Sequence, residues 1–180
     1  MPENTTEKLL LHLCCAPCAC GCLDRIAQRT VTLFFSNSNI ASQEEFDKRL
    51  ENVRIFAEHF SFPLIVDPYD HGAWKNAVSA VPDYETAPER GPRCAVCFAF
   101  NLGRTAEAAE KLGMNFTTTL TVSPHKDSRL IFSIGGKYPR FEAIDFKKND
   151  GFLKSLRISK ELGLYRQNFC GCEYSIRDRS

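Results

Sequence analysis

Nine cysteines, seven of them in three tight groups, constrain this 180-residue chain more than any other feature. The first group is Cys14-Cys15-Ala16-Pro17-Cys18, with Cys20 and Cys22 just beyond it. The second is Cys94 and Cys97, and the third is Cys170 and Cys172. Burial as a small hydrophobe accounts for an isolated cysteine, not for clustering. An odd number cannot pair completely within one chain. The polar stretch Met1–Lys8, which carries Glu3 and Glu7, lacks the basic, apolar, small-residue order of a secretory leader. The expected compartment is therefore a reducing cytoplasm, where clustered thiols hold metal more often than they form disulfides.

The rest of the sequence supplies a scaffold on which such groups can meet. Hydrophobic residues make up 43% of the chain and include 14 Phe, enough for a core and too many for a disordered segment. No apolar run approaches the roughly 18 residues of a membrane helix, so no membrane span is expected. Lys8–Leu13 and Thr30–Phe35 read as strands, with a helix over Ala19–Gln28 between them. Ser42–Phe60 is the clearest helix: Ser42 is a natural N-cap, Glu45 completes a capping box, and Phe46, Leu50, Val53, Phe56, Ala57 and Phe60 share one face. Pro63–Val66 reads as a third strand, Trp74–Ala80 as a short helix, Pro82–Pro92 as a loop, and Cys94–Leu112 as a helix stopped by Gly113. The β-branched run Phe116–Val122 predicts a fourth strand. Pro124–Ile134 and Phe152–Leu162 predict helices, Phe141–Asp145 a strand, and residues 164–180 an irregular cysteine-containing tail. Strands separated by helical stretches imply parallel crossovers. The expected fold is thus one α/β domain over residues 1–180, a layered, mostly parallel, Rossmann-like sheet. Its ligand edge is the carboxyl edge, where the first cysteine group falls.

A structural zinc site would be satisfied by Cys94, Cys97, Cys170 and Cys172 alone. A thioredoxin-like role needs one CxxC pair. An iron–sulfur cluster needs four thiolates. Adjacent side chains point apart in extended backbone, so Cys14 and Cys15 suit different targets. One four-ligand site leaves about three clustered cysteines over, which favours a redox-active or double site. His12, inside the first strand, reads as a hydrogen-bonded core histidine. His125 and Asp145 are further candidates at the sheet edge. The turn after the first strand is CCAPC, not a Gly-rich phosphate cradle. Charge is uneven: residues 137–180 carry 10 Lys/Arg against 6 Asp/Glu, the remainder 13 against 16. A basic C-terminal face could meet phosphate.

Seven segments, in order, resemble the QueH-type epoxyqueuosine reductases, the cobalamin-independent enzymes of queuosine synthesis in tRNA. They are Leu11–Cys18 (LHLCCAPC), Asn37–Ile40 (NSNI), Glu45–Arg49, Arg93–Cys97 (RCAVC), Thr117–Pro124 (TTTLTVSP), Asp145–Lys147 (DFK) and Tyr165–Ser175 (YRQNFCGCEYS). The resemblance implies an iron–sulfur oxidoreductase that removes the epoxide oxygen from epoxyqueuosine in the tRNA anticodon, in the last step of the pathway. It implies a 4Fe–4S cluster and a second metal ion, iron, nearby. It carries Cys14, Cys15, Cys94, Cys97, Cys170 and Cys172 over as cofactor ligands, with Cys18 and Asp145 as further metal ligands. Cys14, Cys15, Asp145, Tyr165 and His125 are the candidate catalytic residues, the last three as proton donors. Cys20 and Cys22 look extra. Arg166, Lys147, Lys148 and Lys154 are candidates to grip anticodon phosphates, and an unidentified electron donor is required. Ser36 and Ser38 stand where Tyr and Pro are usual, and Phe169 where Tyr is usual. An iron–sulfur tRNA thiolase, which would need ATP, and a non-catalytic zinc protein that contacts RNA are the alternatives.

Overall fold

A computed structural model describes residues 7–177 of the chain. Most of the Met1–Lys8 stretch lies outside the described residues. Four strands, β1 (Lys8–Leu13), β2 (Thr30–Phe35), β3 (Leu64–Val66) and β4 (Asn115–Thr118), form one sheet in the order β3-β2-β1-β4. Every pairing is parallel, with Leu13 opposite Phe35 and His12 opposite both Phe34 and Thr118. This is an α/β sheet of Rossmann-like order. The connection from β1 runs outward to β2 and β3, and the chain then returns to place β4 on the other side of β1. The order therefore reverses between β1 and β4, and there the carboxyl ends open a crevice suited to a ligand.

Both faces of β1 and β2 are covered, which is why they read as unbroken apolar runs. Leu9, Leu11, Leu13, Leu33 and Phe35 enter the core on one face. Leu10 and Phe34 enter the core on the other, with Phe116, Phe98 and Leu102. The two-residue alternation of a strand produces this division.

The helices are α1 (Ala16–Cys20), α2 (Leu23–Ile26), α3 (Gln43–His59), α4 (His71–Val78), α5 (Pro92–Leu112), α6 (Ser128–Gly135), α7 (Gly151–Glu161) and α8 (Glu173–Arg177). Ser42 caps α3 by accepting from the Glu45 N–H at 3.2 Å. The expected reciprocal half of the capping box is replaced, because the Glu45 carboxylate receives Arg49 Nε at 2.7 Å and the Tyr165 hydroxyl at 3.2 Å. Gly113 ends α5 in the left-handed conformation, φ 62°.

Several expectations are corrected. The helix over Ala19–Gln28 is two short helices broken at Gly21, where a Cβ would stand 2.5 Å from the Gly151 carbonyl oxygen. The run Phe116–Val122 is strand only to Thr118. There the Thr118 hydroxyl accepts the Leu120 N–H at 3.1 Å, and Thr119–Val122 turn into a 3-10 helix. Phe141–Asp145 forms no strand; Phe141 makes a single parallel bridge to Phe116. The helix expected from Pro124 begins at Ser128, capped by Asp127. Within the tail, Glu173–Arg177 is helical.

Candidate metal centre

Cys14 leaves the end of β1, Cys15 occupies the N-cap of α1 in extended backbone, and Cys18 lies one turn on. This strand-to-helix turn gathers all three ligand atoms within 4.8 Å of one another. Among the described residues, no other three His, Cys, Asp or Glu stand so close. The end of β1 is held from both sides. Asn37, buried after β2, donates to the Leu13 carbonyl at 2.7 Å. The Thr119 hydroxyl, just past β4, accepts the Cys14 N–H at 3.2 Å and lies 3.4 Å from Cys14 Sγ. The Cys14 thiol points its hydrogen at Cys15 Sγ, 3.9 Å away. Hydrogen bonds from Cys14 and Cys18 hold the Cys15 thiol well below its ordinary pKa. The same contacts push Cys14 and Cys18 up. Lowering a thiol's pKa favours the thiolate, the form in which cysteine ligates metal.

The triad opens on a cavity of about 630 Å³. Cys14 and Cys18 line it, and so do Cys94, Cys97, Cys170 and Cys172. Cys94 and Cys97 come from the first two turns of α5. They lie within electrostatic reach of Cys170 and Cys172, and burial raises the Cys94, Cys97 and Cys172 thiols. The tail that carries the last pair is anchored by Arg49 of α3. Arg49 is buried and donates to the Cys170 carbonyl at 2.9 Å and to the Phe169 carbonyl at 3.3 Å. Gly171 adopts φ 137°, and a Cβ there would come within 3.2 Å of the same guanidinium. Cys20 and Cys22 are buried in the core beside α1, not on the cavity; burial pushes Cys20 up to about 12.

The proton-donor candidates separate. His125 lines the cavity and receives Arg90 Nη2 on Nδ1 at 3.4 Å. Asp145 does not line it; its Oδ1 accepts the Lys147 N–H at 3.1 Å and lies 3.4 Å from the Ser128 hydroxyl. Tyr165 is also off the cavity, its hydroxyl on Glu45 and its ring under Lys48 Nζ at 3.7 Å. His12 is fully buried between the Ser36 carbonyl, 2.9 Å from Nε2, and Thr118 Oγ1, 2.8 Å from Nδ1. Since a carbonyl only accepts, Nε2 carries the hydrogen and Thr118 donates to Nδ1. Sequence reasoning missed Lys126. It lines the cavity, and the negative potential of Cys170, followed by Cys14 and Cys18, raises its pKa. A lysine in the SPHK turn carries no signal of that placement. Its position depends on the turn that Lys147 Nζ fixes through the Lys126 carbonyl at 2.8 Å.

The donor set fits a thiolate-ligated metal group. It offers soft sulfur from three chain segments around one cavity, with no competing carboxylate among the three close ligands. The cavity wall also holds buried polar atoms with no partner among the described residues, Asn101 Oδ1, Arg93 Nη2 and Gln167 Oε1, as a wall built around a bound group would.

A family model described as epoxyqueuosine reductase QueH matches residues 9–178. Curated proteins with that name are similar over nearly the whole chain. The one from Thermotoga maritima is 38% identical, covering 95% of this chain and 91% of that protein. The one from Acinetobacter baylyi is 35% identical over 99% and 84%. The one from Streptococcus pyogenes is 34% identical over 97% and 72%.

Proposed function

The chain belongs to the epoxyqueuosine reductase QueH family, and from that membership we propose how its thiols and cavity carry out the reaction. The enzyme is an oxidoreductase that reduces epoxyqueuosine to queuosine in tRNA. The conversion consumes two electrons and two protons: the epoxide loses its oxygen as water and leaves an alkene. The observation that carries our reading is the thiol triad at the carboxyl edge of β1, opening on a cavity that four further thiols line.

In this reading Cys14, Cys15 and Cys18, with Cys94, Cys97, Cys170 and Cys172, hold a 4Fe–4S cluster and a further iron. Seven clustered thiols exceed the four ligands of one centre. When bound, the cluster supplies electrons singly and the iron an electrophile for the epoxide oxygen. The chain's own residues position and shield. Arg49 and Gly171 fix the Cys170–Cys172 turn. Asn37 and Thr119 fix Cys14. His125, of the three candidate proton donors, is the one that borders the cavity. Asp145 and Tyr165 support neighbouring turns, and Asp145 as a metal ligand needs its turn to move. An external electron donor completes the cycle, and tRNA as substrate puts the reaction in the cytoplasm. No helix among the described residues is long and apolar enough to cross a membrane.

The test is anaerobic purification with iron, zinc and acid-labile sulfide analysis, followed by reduction of epoxyqueuosine-bearing tRNA. About four or more irons with matching sulfide, and loss of both in single Cys→Ser variants of Cys94, Cys97, Cys170 or Cys172, is the expected result. Stoichiometric zinc without sulfide after iron-replete expression overturns the cluster and favours a structural metal.

A further inference from the structure

The four residues of the basic C-terminal stretch that the sequence offers for phosphate contact are mostly engaged elsewhere. Lys154 is paired with Asp24. Lys147 Nζ donates to the Lys126 carbonyl and to the Ser128 hydroxyl, at 2.8 and 2.6 Å. Lys148 is exposed but does not border the cavity. Arg166 alone reaches the cavity.

Positive charge is concentrated instead around the cavity. The chain as a whole carries a formal +1. Among the charged residues that line the cavity, six are cationic and two, Glu89 and Asp127, are acidic. Arg49 and Arg93 are spent on backbone carbonyls deep in the wall. Arg90, Arg129 and Arg166 are exposed and come from three separate segments: the loop before α5, the first turn of α6 and the tail. Arg166 Nη1 is engaged, donating to the Ser155 carbonyl at 3.4 Å and the Ser159 hydroxyl at 3.2 Å, whereas Arg90 and Arg129 take part in none of the ion pairs among the described residues. Half-buried Phe152 and Phe169 border the same opening, each with a guanidinium over its ring, Arg166 at 6.0 Å and Arg49 at 5.2 Å.

We infer that this mouth is the face that seats the tRNA anticodon loop, with Arg90 and Arg129 holding backbone phosphates at its rim. The inference rests on tRNA being the substrate. The physical reason is access. A base inside a stacked loop cannot approach a recessed thiol centre, so the nucleotide has to be splayed out. The phosphates beside it then lie at the rim, where unpaired guanidinium groups grip them most strongly.

The test measures binding without turnover, so it stands apart from whether the enzyme reduces the epoxide. The probes are an epoxyqueuosine-bearing tRNA and its isolated anticodon stem-loop, titrated over a range of salt. For Arg90→Ala with Arg129→Ala, affinity for the stem-loop is expected to fall about tenfold, and the slope of log K against log salt to shrink by about two. Arg90→Lys with Arg129→Lys should restore most of the slope, which separates charge from folding. Lys148→Ala with Lys154→Ala should change affinity less than twofold. Unchanged affinity and slope in the arginine variant overturns the inference. So does a loss carried by the lysine variant, or a stem-loop that fails to bind where the full tRNA binds.

Discussion

His12 sits two residues before Cys14 and joins three strands at the point where the crevice opens. Its ring bridges the Ser36 carbonyl after β2 and the Thr118 hydroxyl at the end of β4. Burial lowers its pKa, so the folded protein keeps it neutral. The sign follows from linkage. Above about pH 6.5 neither the folded nor the unfolded chain protonates it, and it adds no pH dependence. Below that value the unfolded chain takes up a proton that the folded chain refuses, and stability falls. Between pH 7.5 and 5.5, urea unfolding of the metal-free, reduced protein should lose about 1.4 kcal/mol more in the wild type than in His12→Gln. Equal losses would mean that the ring is protonated in place. A core histidine was legible from its position in an apolar strand. Arg49 was not: its helix pattern shows a buried position, but the carbonyls it holds lie 120 and 121 residues away. The thiols were legible because chemistry marks them by residue type. The arginine and lysine that position and surround them are marked only by the fold.

Among the elements, β1, β2 and α3 were legible because each has a run of pattern longer than its ends are uncertain. The helix over Ala19–Gln28 fails because of a contact between segments distant in sequence. Gly21 breaks the first helix because α1 packs closely on the start of α7, with the Gly151 carbonyl where a side chain would be. Gly151 is tighter still, as a Cβ would lie 1.7 Å from the Phe146 carbonyl oxygen. Asn149 and Asp150, both at positive φ, make the turn that delivers the chain into this contact. Gly151→Ala should therefore cost about 3 kcal/mol or more, read as a lower denaturation midpoint. Gly113→Ala is the informative comparison. It shares the glycine-to-alanine change, and it meets a left-handed backbone but no neighbour within 4 Å, so its smaller cost, about 1 kcal/mol, isolates the conformational part. Similar costs at both sites would mean that the Phe146 carbonyl yields. The strand expected at Phe116–Val122 failed for a local reason. Its β-branched content is real, but the Thr118 hydroxyl turns the backbone out of the sheet where the site begins.

At the scale of the molecule, the site joins the tail to the end of β1 and the start of α5. The sheet and its two apolar layers are complete without the thiols: Leu9, Leu10, Leu11, Leu13, Leu33 and Phe35 are all buried by helix packing. The tail is held differently, by Arg49 on two carbonyls and by the Ala41 N–H on the Gly171 carbonyl at 2.9 Å. A group held jointly by Cys14–Cys18, Cys94–Cys97 and Cys170–Cys172 would tie β1, the start of α5 and the tail together. It binds the folded chain and not the unfolded one, so its binding free energy adds to stability. The addition is concentrated in the tail, whose Cys172 and Tyr174 pack with Trp74 and Val78 outside the two apolar layers of the sheet. Removing metal with a chelator under reducing conditions should raise amide exchange about tenfold or more in residues 84–94 and 167–177, and leave β1 and β2 amides protected. A uniform rise would mean that the sheet itself needs the metal. No rise in either segment would mean that the three cysteine groups do not hold one site together, and each pair would then have to be assigned separately.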